Sequence, residues 1–347
     1  MKEFYSGKNI FITGAAGTIG NELIKHLIAF NPNKLVAIDN NETEVFFLTE
    51  QYKKYNNFHC FICDIRDKEK LEFLMQGCDF VFHGAALKHV ILGEYNPFDI
   101  IQTNLIGLQN LISASIKSSV KKVLFMSSDK AVNPTNAMGA SKLMGEKLVT
   151  AANNLQTDNG TIFCNSRFGN VLGSRGSVIP IFLNQLKKGH DLTITDENMT
   201  RFVMKKEEAV DLILQSLQIA KGGETFILKM HAVKIIDLAQ VMIKELSPVF
   251  NKKDIGISFI GSKAGEKLFE ELLSEEETQR AMEIDKFYII LPAFRSLYSN
   301  IDYKYNNVKN EKISSKITSQ TAELLSLEEI SKFYINYIKE NLNEFIY

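Results

Sequence analysis

The sequence predicts an α/β fold, with a Rossmann-type doubly wound parallel sheet and a smaller C-terminal mixed lobe. Short apolar segments alternate with amphipathic segments of helical period over residues 9–128, as strands and helices do in such a sheet. A glycine-rich turn follows the first apolar segment, and an acidic residue ends the second. The length of 347 residues suits one large α/β unit or two domains.

The apolar segments predicted as strands are rich in Val, Ile and Phe. They are residues 9–13, 34–39, 58–65, 79–85 and 121–128. Amphipathic segments at 21–30 and 104–118 are predicted as helices between them. Because the strands are apolar on both faces, helices should cover both sides of the sheet.

The regular alternation continues with a predicted helix at 139–154 and a strand at 161–167, and then loosens. Residues 169–202 are rich in Gly, Ser, Arg and Thr, which is typical of loops and short elements at a functional site. Segments 224–230, 235–246 and 256–262 are predicted to belong largely to a smaller mixed lobe. The polar stretch 303–321 precedes a closing helix at 326–342, where Ser326 and Glu329 have the spacing of a capping box.

These patterns predict three regions. They are a Rossmann domain at 1–172 with 203–232 interleaved, a substrate-binding lobe at 173–202 and 233–295, and a C-terminal tail and helix at 296–347.

Composition excludes several classes of protein. Hydrophobic residues make up 45% and charged residues 23%, which is ordinary for a globular protein, and the formal net charge of -1 lacks the basic excess of a nucleic-acid-binding domain. No segment approaches the ~20 apolar residues that span a bilayer, and residues 1–8 are polar. We therefore expect a cytoplasmic protein that binds neither nucleic acid nor a membrane.

The four cysteines predict neither a disulfide scaffold nor a metal site. The close pair Cys60 and Cys63 falls in a predicted buried strand, where residues three apart point to opposite faces. Core packing is the simpler interpretation.

The turn between the first strand and helix carries Gly14, Gly17 and Gly20. Glycines at these positions permit a tight turn and let the backbone approach a pyrophosphate, which the N–H groups at Thr18 and Ile19 and the helix dipole would stabilise. The pattern predicts dinucleotide binding.

Asp39 ends the second predicted strand, where a carboxylate can accept hydrogen bonds from an adenosine ribose. Its charge would repel a 2′-phosphate, and residues 40–42 offer no cation, so NAD is predicted rather than NADP. Asp64 has a position suited to an adenine amino group or to a helix N-cap. Ile65, Ala85 and Ala86, near the ends of the third and fourth strands, complete the predicted cofactor contacts.

The fifth strand ends in Ser127-Ser128-Asp129-Lys130, and the next helix carries Met138 and Lys142 one turn apart. Such strand ends hold ligand chemistry in doubly wound sheets. Adjacent acid and base groups can move protons there if burial shifts their pKa values. The alternative for Asp129 and Lys130 is a surface ion pair, and for Met138 it is core packing.

At these residues the sequence resembles the extended short-chain dehydrogenase/reductase superfamily, and more closely its bacterial UDP- or GDP-N-acetylglucosamine 4,6-dehydratases in the polysaccharide biosynthesis protein family. The resemblance extends from residue 9 to about residue 273. The matching segments are 83–90, 94–104, 126–142, 167–180, 193–202 and 265–273. Met138 stands where most of the superfamily has Tyr, which indicates the Met-x-x-x-Lys branch, and Lys263-Ala264 stands where the family commonly has Arg-Pro.

The resemblance implies a role for each site residue. Asp129 would protonate the leaving C6 hydroxyl, Lys130 would remove the C5 proton, and Lys142 would hold the nicotinamide ribose. Ser127 or Ser128 would hydrogen-bond the C4 oxygen. The base for the C4 hydroxyl stays open, because Met138 cannot serve.

The family's substrate-binding positions also carry over. They fall on Lys88, Ser127, Asn170, Arg175, Arg201, Lys263 and Glu266. Arg201 is the predicted diphosphate clamp, since a planar guanidinium suits phosphate oxygens.

The implied function is NAD-dependent dehydration of UDP- or GDP-N-acetylglucosamine to the 4-keto-6-deoxy sugar, for bacterial surface glycan or nonulosonic (legionaminic) acid synthesis, by a homo-oligomer. The resemblance of residues 265–268 and 270–273 to the long-form retaining members of the family implies retention at C5. Three alternatives stay open: dehydration with C5 epimerisation (inverting), nucleotide-sugar 4-epimerisation, and a non-catalytic sensor, which the intact Asp129-Lys130 pair disfavours.

Overall fold

The computed structural model describes residues 1–155 and 160–345, which form two compact units. The first unit comprises Met1–Phe168, Lys206–Lys229 and Ser274–Ser315. The second comprises Gly169–Lys205, Met230–Leu273 and the described residues from Lys316 onward.

The strands are numbered in chain order. They are β1 (Asn9–Thr13), β2 (Lys34–Asp39), β3 (Phe58–Ile62), β4 (Phe80–His83), β5 (Lys122–Met126), β6 (Ile162–Arg167), β7 (Asn170–Val171), β8 (Leu192–Ile194), β9 (Thr200–Met204), β10 (Thr225–Leu228), β11 (His231–Lys234), β12 (Ile257–Phe259), β13 (Glu271–Leu273), β14 (Ala281–Ile284), β15 (Phe287–Ile290), β16 (Val308–Asn310) and β17 (Ile317–Thr318).

The α-helices are numbered in the same way. They are α1 (Lys2–Tyr5), α2 (Thr18–Ala29), α3 (Glu42–Tyr52), α4 (Lys68–Leu74), α5 (Val90–Tyr95), α6 (Pro97–Ile100), α7 (Gly107–Lys117), α8 (Ala137–Ala152), α9 (Val178–Lys188), α10 (Lys206–Ile219), α11 (Ile235–Leu246), α12 (Glu275–Thr278), α13 (Leu327–Ile330), α14 (Asn336–Glu340) and α15 (Leu342–Phe345). Ile101–Ile106 and Ser331–Ile335 are π-helical, and Asp129–Ala131, Pro248–Phe250 and Arg295–Tyr298 form 3₁₀ turns.

The first unit is built on a ten-stranded sheet of order β16-β14-β15-β10-β6-β5-β4-β1-β2-β3. The strands from β10 to β3 in this order are parallel, and β15, β14 and β16 continue the sheet antiparallel. Alternate side chains of β1 enter different cores, since Ile10 and Ile12 belong to one apolar cluster and Phe11 to another. This arrangement confirms the predicted Rossmann-type α/β fold.

The structure differs from the prediction in the region 274–315. Residues 274–295 were predicted in the smaller lobe and 296–315 in the tail, but β15 pairs with β10 and β14 and β16 extend the sheet outward. These strands cover the edge that β10 would otherwise expose. The closing helix also differs, because the predicted helix 326–342 comprises α13, the π-helical turn and α14.

The second unit has small sheets and a helical core. Its sheets have the orders β11-β9-β7, β12-β8 and β13-β17. One apolar cluster joins residues of α9, α11 and the helices from α13 to α15, including Phe182, Leu238, Ile335 and Phe345.

Two kinds of feature are absent from the described residues. Among residues 1–155 and 160–345, no helix is long and apolar enough to cross a membrane. The same residues hold no cluster of three or more His, Cys, Asp or Glu side chains placed to bind a metal.

Candidate active site

The turn after β1 requires glycine at its first position. Gly14 has a φ of +69°, and a Cβ atom built on it would lie 2.6 Å from the Ala85 backbone N and 2.7 Å from Gly84 C. Any other residue would therefore be strained and would collide with the chain leaving β4. The backbones after β1 and β4 therefore lie very close together at Gly14.

The start of α2 forms a cradle for an anion. Gly17 is the N-cap residue, and no side chain caps the helix there, so the first N–H groups at Thr18 and Ile19 are left to a ligand or solvent. A Cβ on Gly20 would overlap Gly14 O and lie 2.8 Å from Ala15 Cα, so glycine also lets α2 pack against the turn. These residues fit a dinucleotide pyrophosphate.

Asp39 closes the same turn from the end of β2. Its Oδ2 accepts a hydrogen bond from Ala16 N at 3.0 Å, and its Oδ1 accepts one from Asn41 N at 3.1 Å. Each oxygen keeps acceptor capacity, since a carboxylate has about four lone-pair sites. The geometry agrees with ribose binding, which stays a prediction.

Asp64 and Ile65 lie beyond the end of β3. Arg66 donates to the Asp64 carboxylate, with Nη2 2.6 Å from Oδ2, and this bonding lowers the pKa of Asp64. The N-cap alternative for Asp64 is wrong, because the side chain of Asp67 caps α4 by accepting from Lys70 N. Ile65 is buried and packs at the position of Gly107, where a Cβ would lie 2.7 Å from it.

A buried hydrogen bond that sequence reasoning missed joins the ends of β1 and β4. Thr13 Oγ1 lies 2.6 Å from His83 Nδ1 and accepts from Ala85 N at 3.2 Å. Burial, aided by the nearby charge of Lys142, lowers the pKa of His83 to about 3, so the imidazole is neutral at ordinary pH. The pair holds the backbone at Ala85, which precedes Ala86.

Asn104 is a second residue that sequence reasoning missed as a site residue. It is buried in the π-helical turn, its Oδ1 accepts from Leu87 N at 2.8 Å, and its Nδ2 donates to Ser141 Oγ at 2.9 Å. It thereby ties the loop that carries Lys88 to α8. An Asn at the start of an otherwise apolar helical pattern was the available signal.

Asp129 and Lys130 form the central pair of the candidate site. Asp129 has no exposed surface, and its Oδ1 accepts from Ser128 Oγ at 2.8 Å and from Lys130 Nζ at 3.1 Å. Its Oδ2 is buried with no hydrogen-bond partner among the described residues, as is Ser127 Oγ. The pair is not a surface ion pair, because burial removes the water that would screen it.

Lys142 reaches the same strand end from α8. Its Nζ donates to Met126 O at 2.8 Å and lies 4.7 Å from the centroid of the Phe125 ring. Burial lowers the pKa of Lys142 to about 8, although Glu146 opposes that shift. Met138, one turn earlier on the helix, is buried and brings no titratable group.

Arg167 makes a buried ion network that sequence reasoning missed. Its Nη2 lies 2.6 Å from Glu146 Oε2 and 2.9 Å from Glu277 Oε1. Burial opposes the charge of Arg167, but the two carboxylates raise its pKa above the usual value. The network fixes α8, and with it Lys142, against β6.

In the second unit Arg201 is not placed as a phosphate clamp. Its guanidinium donates to Thr200 O at 2.7 Å, Leu268 O at 3.2 Å and Lys267 O at 2.8 Å. It also lies 3.8 Å from the carboxylates of Glu266 and Glu270. The predicted clamp role of Arg201 is therefore corrected, since its donors already hold the backbone around residue 267.

The remaining predicted substrate residues lie in both units. Lys88 is exposed in the loop after β4 of the first unit. In the second unit, Asn170 lies in β7 opposite Val203, Arg175 is exposed in the following loop, and Lys263 is exposed before the turn that carries the half-buried Glu266. Their binding roles stay predictions.

The chain matches the protein family described as polysaccharide biosynthesis protein over residues 10–292. It is 45% identical over 96% of its length to an uncharacterized membrane protein of Methanocaldococcus jannaschii, covering 96% of that protein. It is 40% identical over 87% of its length to a UDP-N-acetylglucosamine 4,6-dehydratase (inverting) of Campylobacter jejuni, covering 88% of it. It is 37% identical over 96% of its length to a UDP-glucose 4-epimerase of Rickettsia massiliae, covering 98% of it.

Solved structures share the fold. The crystal structure of Pen from Bacillus thuringiensis matches with a TM-score of 0.89 and 39% identity, over 96% of this chain and 98% of that one. A dTDP-glucose 4,6-dehydratase from Streptomyces venezuelae, solved with NAD bound, matches with a TM-score of 0.67 and 19% identity, over 75% of this chain and 86% of that one.

Proposed function

The chain belongs to the polysaccharide biosynthesis protein family, and from that premise we propose that it is an NAD-dependent 4,6-dehydratase of UDP-N-acetylglucosamine. Its relatives support an enzyme of nucleotide-sugar chemistry, and those named 4,6-dehydratases favour this reaction. The product is the 4-keto-6-deoxy sugar nucleotide.

The cofactor is NAD, and the residues of the first unit fit it. The cradle of Gly14, Gly17 and Gly20 suits its pyrophosphate, and Asp39 suits a ribose that carries no 2′-phosphate. NAD held by these residues would supply a hydride acceptor for C4 of the sugar and, once reduced, a hydride donor for C6. Lys142, whose Nζ donates to Met126 O, is proposed to bind the ribose hydroxyls.

One observation carries the dehydratase assignment: the buried Asp129 has one oxygen hydrogen-bonded to Lys130 and Ser128, and its other oxygen has no partner in the part of the chain that the structure describes. An oxygen without a donor is suited to carry a proton and deliver it. Asp129 protonates the C6 hydroxyl as it leaves as water. Lys130 removes the C5 proton, which the C4 ketone has made acidic, and an epimerisation at C4 would need neither step.

The acceptor of the C4 hydroxyl proton is a group other than residue 138, since the Met138 thioether takes up no proton. Ser127 Oγ is buried and has no hydrogen-bond partner within residues 1–155 and 160–345, so it is suited to hydrogen-bond the C4 oxygen. That hydrogen bond holds the C4 oxygen while the hydride leaves.

We assign the diphosphate of the substrate to Arg175. The guanidinium of Arg201 contacts carbonyl and carboxylate oxygens. Arg175 carries a guanidinium on a loop of glycines and serines, at a position that matches the family's sugar-nucleotide site. A planar guanidinium with five donors suits two phosphate oxygens. Asn170, Lys263, Glu266 and Lys88 are proposed to complete the binding of the sugar nucleotide.

The deciding experiment is incubation with UDP-N-acetylglucosamine and, separately, GDP-N-acetylglucosamine, followed by mass spectrometry. Loss of one water from the UDP sugar is expected, and a product of unchanged mass would contradict dehydration. Denaturing the protein and identifying the released cofactor chromatographically should yield NAD rather than NADP.

A nucleotide-sugar 4-epimerase is the second candidate, favoured by the Rickettsia relatives named UDP-glucose 4-epimerase. Epimerisation would give a product with the same mass as the substrate and a different proton NMR spectrum. The Campylobacter relatives are named inverting, which favours C5 epimerisation. The resemblance of residues 265–268 and 270–273 to retaining members of the family favours retention instead. The proton coupling at C5 of the product distinguishes the two.

A further inference from the structure

The end of the described chain packs on the loop that carries Arg175. Gly173 is buried with a φ of +69°, and a Cβ atom built on it would overlap the ring of Phe345, with ring atom Cζ at 2.9 Å. The ring therefore rests against the Cα atom of Gly173. A side chain at residue 173 would push the ring away and strain the backbone.

Phe345 is well fixed on its other side. It is 3% exposed, and its ring centroid lies 5.9 Å from that of Tyr337. The Tyr337 ring in turn carries Lys205 Nζ at 5.3 Å from its centroid. Phe345 belongs to the apolar core of the second unit together with Leu172, so the ring is part of a packed surface.

The helices before Phe345 are anchored to the body of the second unit. Lys339 Nζ donates to Glu245 Oε2 on α11 at 2.7 Å, and Tyr334 O–H donates to Val203 O in β9 at 3.4 Å. The Ser326 side chain caps α13 in a capping box. Phe345 therefore connects the packed core of the second unit to the loop.

Backbone hydrogen bonds tie the start of the loop to β9 and close a turn within it. Leu172 N donates to Met204 O at 2.9 Å, and Ser177 N donates to Ser174 O at 2.9 Å just before α9 begins. Arg175 lies between these points, two residues beyond Gly173. The contact between Gly173 and Phe345 supplies apolar packing close to the exposed tip.

We propose that Phe345 is a positioning residue for substrate binding: by packing on Gly173 it holds the loop so that Arg175 meets the diphosphate of the sugar nucleotide. This inference rests on the proposed function, because the diphosphate is its ligand. Without the ring the loop can move in the unbound protein. Substrate binding must then order the loop, and this lowers the affinity for the sugar nucleotide. The NAD site in the first unit is built from other residues.

The test compares Phe345→Ala with Phe345→Leu and with Leu327→Ala, a matched control on α13 whose side chain is 46% exposed. For Phe345→Ala we expect KM for UDP-N-acetylglucosamine to rise about 10-fold, with kcat within about threefold and NAD content unchanged. Phe345→Leu should restore most of the affinity, and Leu327→Ala should behave as the parent. An unchanged KM in folded Phe345→Ala would overturn the proposal, as would a loss confined to kcat.

Hydrogen–deuterium exchange of the full chain without substrate is a second readout that needs no activity. Faster exchange of the amides at residues 172–177 is expected in Phe345→Ala and not in Leu327→Ala. Unchanged exchange there would refute the packing role. If the parent protein dehydrates neither sugar nucleotide, the proposed function fails, while the exchange experiment still decides whether Phe345 holds the loop.

Discussion

At the residue scale the chemistry concentrates on Asp129. Its carboxyl group is fully buried, one oxygen is shared by Ser128 Oγ and Lys130 Nζ, and the other has no described partner. A carboxyl group with no exposed surface and one oxygen without a described partner is costly to keep, because a polar group is taken out of water without full compensation. Such a cost is typical of groups that act on a substrate rather than of groups that stabilise a fold.

We expect Asp129→Asn and Lys130→Met each to lower turnover by at least ~10²-fold, the scale of lost general acid–base catalysis. Asp129→Asn should still oxidise C4 and exchange the C5 proton with solvent, whereas Lys130→Met should stop before exchange. Proton exchange followed by NMR distinguishes the two. The control is Lys121→Met at the other end of β5, where Lys121 pairs with Asp79 at 2.7 Å. Near-normal turnover in both site variants would place the chemistry elsewhere.

Met138→Tyr is expected not to accelerate the reaction. Met138 is 3% exposed, and its Cβ lies 3.8 Å from the position a Cβ would take on Gly93, so a phenol must displace close neighbours. The rate of C4 oxidation measures the effect, and Met144→Tyr, at a side chain that is 51% exposed on the same helix, is the control. A large rate gain would show that residue 138 lacks a base that the site needs.

At the element scale the position of α8 decides where Lys142 lies. A Cβ on Gly145 would lie 2.8 Å from Phe125 Cζ, so glycine lets the helix approach β5. Glu146, one turn after Lys142, is held by Arg167 of β6. Helix and strand are thus fixed by an apolar contact and a buried ion pair close to the Lys142 amine.

Glu277→Gln tests this network through its pH dependence. Burial opposes ionisation of Glu277, but Arg167 more than compensates and lowers its pKa to about 2. A lowered carboxyl pKa stabilises the fold above its unfolded value of about 4.3, and the contribution is lost as pH falls toward 2. We expect Glu277→Gln to lower the free energy of unfolding by about 3 kcal/mol at pH 7, and by progressively less as the pH falls below about 4.

Chemical denaturation at several pH values measures this difference. The neighbour Glu276, whose side chain is 66% exposed and pairs with Arg280, supplies the control Glu276→Gln, which should change stability little at any pH. A Glu277→Gln effect that stays constant down to pH 3 would contradict the assigned ionisation.

At the scale of the whole molecule the proposed reaction would return NAD to its starting state. Substrate deuterated at C4 should give product with that deuterium at C6, and reaction in heavy water should place one solvent deuteron at C5. The reason is that the hydride taken from C4 returns to C6, while Lys130 exchanges the C5 proton. NMR of the product locates the deuterium, and absorbance detects any reduced cofactor that accumulates. Accumulating NADH, or C4 label lost to solvent, would exclude hydride return.

The protein is expected to be a homo-oligomer. Several large apolar side chains of α5, α6 and the adjacent π-helical turn are exposed in the first unit, including Tyr95 and Phe98 at 81% each. Exposed apolar groups clustered in sequence are typical of interaction surfaces. Light scattering after size-exclusion chromatography should show smaller particles for Phe98→Glu than for Phe73→Glu on α4, which is 71% exposed in the parent. Equal masses in both would remove this surface from the interface.

Local sequence patterns alone predicted the parallel sheet, the glycine turn after β1, and Asp129 and Lys130 at the end of β5. Each rests on residues close in the chain, where periodicity and backbone sterics act directly. Those patterns predicted dinucleotide binding and ligand chemistry at the end of the fifth strand. The dehydratase chemistry was implied by the family resemblance.

Tertiary structure alone decided which distant residues meet. Arg201 binds carbonyl oxygens 66 and 67 residues away rather than being free for phosphate, Arg167 pairs with Glu277 110 residues on, and β15 joins β10 at the sheet edge. Phe345 lies on Gly173 in the same way. No local pattern contains these partners, because a buried charge or ring is satisfied by whichever group packing brings within reach, and that depends on the folded chain as a whole.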